Sequence, residues 1–468
     1  MSPPEMTRLT PGRRAWAWPF IGIGISAYAL FAVLSLEPAA FVPMALVVLG
    51  VTAVSTAVAP VPTLAAVTAV VGAASLPLGA QGLDLGVRVY PLDFLLAALI
   101  AGTLLGRLAN PTLWRHQWPL RLAFVVFLAY LGLSLLHGLA AGHGLRDALG
   151  DFRRMAVYPV ALFVLAAGIW SPKAIETMLR AIVWASYATV GIAMVRVVTG
   201  VGYAEEHLAG TTIRYLSYVE ASTAGLGVLV LLGFARAATG PARLTNALAA
   251  LPPFIALLVS NYRTAWLALG LGLLVTFGSL GWRRGLTVAA LGALLLAPVG
   301  YLLIAYTQLG QTILDRFNPF NAATSGLWRY FSWFAALKAW LAGPWLGTGL
   351  GYAHHFEFFD IYSGTYAAST TSSIHNDPLW FLVNNGLVGL AAAAVFLVPW
   401  FRRAWALARA GSPFERQVGS TSLGSLALMV TVSCLQPFFS TAGTTLIAMV
   451  FVAIVLRTTP QSAGADAG

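Results

Sequence analysis

A chain of 468 residues that is 59% hydrophobic and only 9% charged, with a mean hydropathy of +0.79, is too apolar for a water-soluble domain, where roughly 25% of residues carry charge. The formal charge of +11 does not point to nucleic acid, because the basic residues stand singly between apolar runs and form no basic face. The single cysteine, Cys434, lies in an apolar run, which excludes a disulfide framework and a thiolate metal site.

No cleavable signal peptide is evident. Arg8, Arg13 and Arg14 lead into the apolar stretch 16–36, which is long enough to span and runs on into more apolar sequence. Taken in chain order, spanning segments fall near 16–36, 41–59, 61–79, 91–108, 119–141, 155–170, 179–200, 221–238, 244–260, 263–280, 285–306, 378–400, 418–435 and 441–457. These make about fourteen spans, or about twelve if two of the shorter ones are re-entrant. Either number is even and puts both termini on one side. The fold class is an all-α polytopic membrane protein with one large external loop carrying interfacial helices. Three regions are expected: an N-terminal bundle at 1–254, a catalytic region at 255–400 that includes the external loop 307–377, and C-terminal spans with a cytoplasmic tail at 401–468.

Lys and Arg set the orientation. With the N-terminus inside, the majority of the 27 basic residues are cytoplasmic, among them Arg107, Arg121, Arg180, Arg236, Arg283, Arg284, Arg402, Arg403 and Arg457. Arg88, Arg146, Arg153, Arg154, Arg196, Arg214, Arg263, Arg316, Arg329 and Lys338 then lie on or near the external side, against the usual bias. Acids such as Asp84, Asp147, Asp151, Glu205, Glu206 and Asp315 are available to pair with part of that set. The surplus suits a phosphate-bearing ligand, whose oxygens a guanidinium fork binds bidentately.

Within this frame a few residues stand out. Arg263 opens a span in Asn-Tyr-Arg-Thr-Ala-Trp-Leu, where snorkelling at a helix end is the plain alternative to a direct role. Arg329 lies in an aromatic-rich, helix-like stretch (Trp328 to Leu337) suited to the membrane interface. The glycines at 343, 347, 349 and 351 match no nucleotide-binding loop and predict tight turns and close backbone approach. The Ser-, Thr- and Ala-rich stretch 363–373 reads as a mobile segment. His354 and His355 are adjacent, and consecutive residues rarely turn both rings to one ion, so a metal site is not expected. His375 ends the polar loop in Ser-Ile-His-Asn-Asp-Pro-Leu. Asn376, Asp377 and Pro378 are helix-start residues, so His375 is either a capping neighbour, a catalytic imidazole, or both. There is no nucleophile elbow and no Asp-x-Asp pair of the kind that holds magnesium and nucleotide sugars.

Three patches in order carry a family resemblance. Asn261 to Leu269, then Arg329 with Trp333, Ala336-Leu337 and Gly343 to Gly349, then His375-Asn376-Asp377-Pro378-Leu379 with Asn385-Gly386-Leu387-Val388-Gly389-Leu390, resemble the O-antigen ligase and polymerase superfamily over about 255–400. Tyr262, where serine is usual, and Pro378 depart from the pattern. The resemblance implies a metal-independent, inverting GT-C-type glycosyltransferase of the bacterial inner membrane, with its active site on the periplasmic face and no cofactor. Its partners would be an undecaprenyl-diphosphate-linked glycan donor, a glycan or lipid A-core acceptor, membrane lipid and polysaccharide assembly proteins. Residue by residue it implies diphosphate binding by Arg263 and Arg329 and acceptor activation by His375. Arg214, in the external loop 201–220, is a weaker candidate for a further phosphate contact, and Asn376 and Asp377 are candidates for orienting His375. Polymerase stands slightly ahead of ligase. A lipid-linked oligosaccharide flippase is the rival from another class, but a transporter should show an internal repeat and midplane charges, and neither is evident.

Overall fold

In a computed structural model, the described residues are 41–80, 83–84, 88–109, 120–169, 171–200, 202–204, 213–260, 262–278, 319–360, 364–439 and 441–458. The expected spans 16–36 and 285–306, together with Arg316, lie outside them. Over the rest the chain is helical, as a sequence with no other way to satisfy its backbone in hydrocarbon must be. Six described helical segments, one of them the run Pro241–Val259 taken as a whole, are long and apolar enough to cross a membrane. The protein is an all-α polytopic membrane protein.

The helices follow the hydrophobic runs closely: α1 (Phe41–Val58), α2 (Pro60–Ala80), α3 (Pro91–Ala109), α4 (Arg121–Ala140), α5 (Leu145–Phe152), α6 (Ala161–Gly168), α7 (Pro172–Thr199), α8 (Tyr218–Ala237), α9 (Pro241–Ala249), α10 (Leu251–Val259), α11 (Arg263–Gly278), α12 (Pro319–Ala342), α13 (Asp377–Ala410), α14 (Pro413–Ser433) and α15 (Ala442–Arg457). Two regions depart from the expected simple spans. The 244–260 run is broken at Ala250, because Pro252 and Pro253 restart the helix there. The run entering 155–170 begins as a π-helical turn over Arg153–Val157, passes through a 3₁₀ turn at Tyr158–Val160 and only then becomes α6.

Helix α8 is the axis of the larger bundle, packing on α2, α7, α9, α10, α11 and α14. Small residues make this possible: a side chain on Gly227 would run into Ser186 of α7, and one on Gly233 into Thr421 of α14. A Ser217–Glu220 capping box starts α8, and buried Glu220 also accepts from Arg196 at 2.8 Å. A second, smaller cluster joins α4, the π turn, α12 and α13 through Leu131, Met155, Ala336, Leu350, Ile374, Trp380 and Val383.

The expected polar loop is more ordered than its composition indicated. It holds α12, a glycine-rich turn, and an antiparallel hairpin of β5 (His354–Asp360) and β6 (Thr365–Thr371), with His354 opposite Thr371. The stretch read as mobile is therefore largely strand β6. Backbone pairing with β5 orders a stretch that its small polar composition alone does not reveal as a strand. Shorter ladders, β1 (Leu83–Asp84) with β2 (Arg88–Val89) and β3 (Tyr203–Ala204) with β4 (Ile213–Arg214), close two other connections.

Candidate functional site

The residues singled out in sequence sit at one end of the bundle, around the start of α13. Asn376 caps that helix, its side chain accepting from Leu379 N–H at 3.0 Å, with Pro378 in the first turn. His375 precedes the cap with φ +52, a left-handed conformation uncommon for a residue with a Cβ. It is held there from both sides: the Asn376 cap follows it, and Trp333 Nε1 donates to Ile374 O at 2.8 Å. Strain kept in place by its surroundings is a feature of functional positions.

The imidazole lies against the Trp328 ring, with centroids 5.1 Å apart, and next to the charge of Arg329 one residue further along α12. Burial first, and that guanidinium second, lower its pKa from 6.5 to about 4, so at neutral pH the ring is an uncharged proton acceptor. Its Nδ1 is buried and has no hydrogen-bond partner among the described residues. Trp328 in turn meets Phe356 of the hairpin, 5.6 Å between centroids, so β5 backs the ring that backs the histidine.

Asp377 faces elsewhere. Its carboxylate accepts from the backbone N–H of Phe439, tying the α13 start to the turn before α15, and its charge is felt by Tyr218 and Cys434. Tyr218 begins α8 and hydrogen-bonds Thr441 at 2.8 Å. Its ring is 6.2 Å from that of Tyr262, which immediately precedes Arg263 at the start of α11. The starts of α8, α11 and α13 thus converge, bringing the neighbourhoods of Arg263 and His375 to the same end. Arg214 stands in the short strand pair opposite Tyr203, close in sequence to the α8 start.

Glycines deliver the close approach their pattern predicted. Gly347, Gly349 and Gly351 all have positive φ. A Cβ on Gly347 would overlap the backbone at Val383 and Asn384, and one on Gly349 the backbone of Gly138. Gly386 breaks the geometry inside α13 (φ +62) to let the Trp345 carbonyl pass. The turn 343–351 is thereby wedged between α4 and α13, and it fixes the height of the histidine loop.

His354 and His355 occupy successive strand positions and turn to opposite faces: His354 is buried, while exposed His355 bonds Thr370 at 2.8 Å. Burial lowers the pKa of His354 to about 4. No group of three potential ligands for a metal occurs among the described residues.

Below the loop lies an apolar cavity of about 330 Å³. It follows α13 from Asp377 and Pro378 to Trp400, with α14 and α15 on the far side, and Arg154 stands with Asp377 among its few charged lining residues. The sequence marks Arg154 as one of the basic residues placed against topogenesis, in the set that suits a phosphate-bearing ligand, without singling it out. The signal available was the density of charge in Arg146, Asp147, Asp151, Arg153 and Arg154 at a span boundary.

Residues 248–394 match a family model described as O-antigen ligase. This stretch is similar to an O-antigen ligase domain. It contains all three sequence patches, and it runs from α9 to the middle of α13. None of the curated proteins matches the chain. The family ties the chain to surface-polysaccharide synthesis in the membrane, where lipid-linked glycan and a polysaccharide acceptor are the substrates in general terms. Arg263, Arg329 and His375 all fall within the matched residues.

Proposed function

We propose that the protein is an inverting, metal-independent glycosyltransferase that takes a glycan from undecaprenyl diphosphate and passes it to an acceptor hydroxyl on the periplasmic face of the bacterial inner membrane. The acceptor is a second glycan in a polymerase, the reading we favour, or lipid A-core in a ligase. The observation that carries this reading is the uncharged, half-buried imidazole of His375 beside the Arg329 guanidinium, two residues from Asp377 in the wall of an apolar cavity.

In this reading the acceptor oxygen attacks the anomeric carbon while its proton passes to the His375 ring. The bond from that carbon to the phosphate oxygen breaks, and polyprenyl diphosphate leaves with the electron pair. A diphosphate is already a good leaving group, so no nucleotide is needed. Fixed guanidinium groups in a site away from bulk water stabilise the charge that develops on it, the role of Arg329 and Arg263 with Arg214 as an auxiliary contact. A neutral histidine is suited to accept the hydroxyl proton. Asn376 orients it by fixing the α13 start, and Asp377 contributes by anchoring that start to Phe439 N–H.

The test uses full-length protein in detergent with polyprenyl-diphosphate-linked glycan, with and without acceptor. Wild type should release polyprenyl diphosphate only when acceptor is present. His375→Asn, which keeps a residue tolerant of the left-handed backbone, should lower kcat by about 10²- to 10⁴-fold with donor KM little changed. Arg329→Lys should raise donor KM about tenfold, as loss of bidentate phosphate contact would. Transfer by His375→Asn at the wild-type rate refutes the assignment of the base.

A further inference from the structure

A second cavity, separate from the apolar one, opens between α5, the π turn and the exit of the β5–β6 hairpin. It is lined by Tyr90, Arg146, Asp147, Asp151, Arg154 and Ser372, among others, and holds about 160 Å³ of open space. Ser372 lies three positions before His375, and Arg154 also lines the apolar cavity beside Asp377. The polar pocket and the apolar cavity therefore share a wall, and the histidine loop borders both.

The walls are built and fixed. Asp151 is buried, accepts from Gly351 N–H at 2.9 Å and pairs with Arg154 at 3.7 Å. Arg153 pairs with Asp93 at 3.3 Å and its guanidinium lies 4.3 Å from the centre of the Tyr90 ring. Arg153 and Arg154 line the pocket from the π-helical turn at 153–157. Such turns occur frequently at functional sites.

The chemistry of the lining selects the ligand. Two of its arginines already face carboxylates, so the pocket does not demand an anion. It offers donors and acceptors side by side on a rigid frame, which suits a ligand whose every group both donates and accepts. A sugar ring with vicinal hydroxyls is such a ligand. We infer that the pocket between α5, the π turn and the hairpin exit is the subsite for the acceptor sugar, holding its hydroxyl toward His375. This rests on the glycosyl-transfer reading above and adds to it the seat of the second substrate.

Binding is measured without donor, so the outcome does not depend on turnover. The probe is the oligosaccharide released by mild acid from the producing cell's own surface polysaccharide, titrated against full-length protein in detergent by saturation-transfer NMR. Wild type should bind saturably, and inorganic pyrophosphate should not displace the sugar. The double variant Arg146→Ala with Asp147→Ala changes two exposed side chains on α5 and leaves Asp151 and its Gly351 contact in place. It should weaken binding about tenfold or more, with an unchanged melting temperature, as loss of charge-assisted hydrogen bonds would. No binding to wild type, equal binding by the variant, or displacement by pyrophosphate each overturns the assignment. Failure of transfer in the donor assay, by contrast, bears on the glycosyl-transfer reading and leaves this binding result standing.

Discussion

At His375, burial and a neighbouring guanidinium both oppose protonation, and their combined effect has a direct kinetic consequence. An ordinary histidine titrates near 6.5, so a base of that kind would lose activity as pH falls through the mid-sixes. Here the free-enzyme value is lowered to about 4, so the neutral, competent ring persists well below that range. The acid limb of kcat/KM, which reports the free enzyme, should lie clearly below 6.5. A limb at or above 6.5 would assign the base to another group. The same residue shows what one side chain's surroundings add to its identity: the sequence presents a histidine before a helix start, while Trp328, Arg329 and the left-handed backbone make it a fixed and neutral one.

Among the elements, the glycine turn and the hairpin do most to position the site. Gly349 and Gly142 provide an internal comparison, because both have positive φ but only Gly349 has backbone against it. Alanine at Gly142 should cost about 1–2 kcal/mol from the left-handed backbone alone. Alanine at Gly349 should cost a further ~1–3 kcal/mol, because α4 and the turn must part to admit the Cβ. The difference in melting temperature between the two variants is the check. Equal shifts would mean that the turn is not wedged against Gly138. The π turn belongs to the same scale. Hydropathy marks where the span at 155–170 lies, but the register of a single widened turn depends on what Arg153 and Arg154 pair with.

Over the whole molecule, the two ends of the bundle differ in kind. One end gathers Asp93, Asp151, Tyr218, His375 and the α13 start. The other holds basic side chains bound to helix-end carbonyls, with Arg403 donating to Val455 and Thr458 and Arg457 donating to Ile169. The positive-inside reading of the sequence places that second end in the cytoplasm. A cysteine scan tests it directly. In a Cys434→Ser background, Ala368→Cys on the hairpin should react with a membrane-impermeant maleimide in intact spheroplasts. Ala242→Cys, exposed at the start of α9, should react only after permeabilisation. The reverse pattern would turn the protein over in the membrane and with it the side on which transfer occurs.

Hydropathy by itself determined the solvent, the class of fold and nearly every described span, because burial in lipid demands long apolar helices whatever the neighbours are. The glycine pattern and the Asn-Asp-Pro cap were also legible, since they follow from backbone geometry within a few residues. Tertiary structure decided the rest. It ordered a polar stretch into a hairpin, aimed Asp377 at Phe439 and paired Arg196 with Glu220. It also gathered Arg146, Asp151 and Arg154 into a pocket beside Ser372, more than 200 positions away along the chain. Such contacts join residues far apart in the chain, and their energies depend on distance and burial, which residue order does not specify.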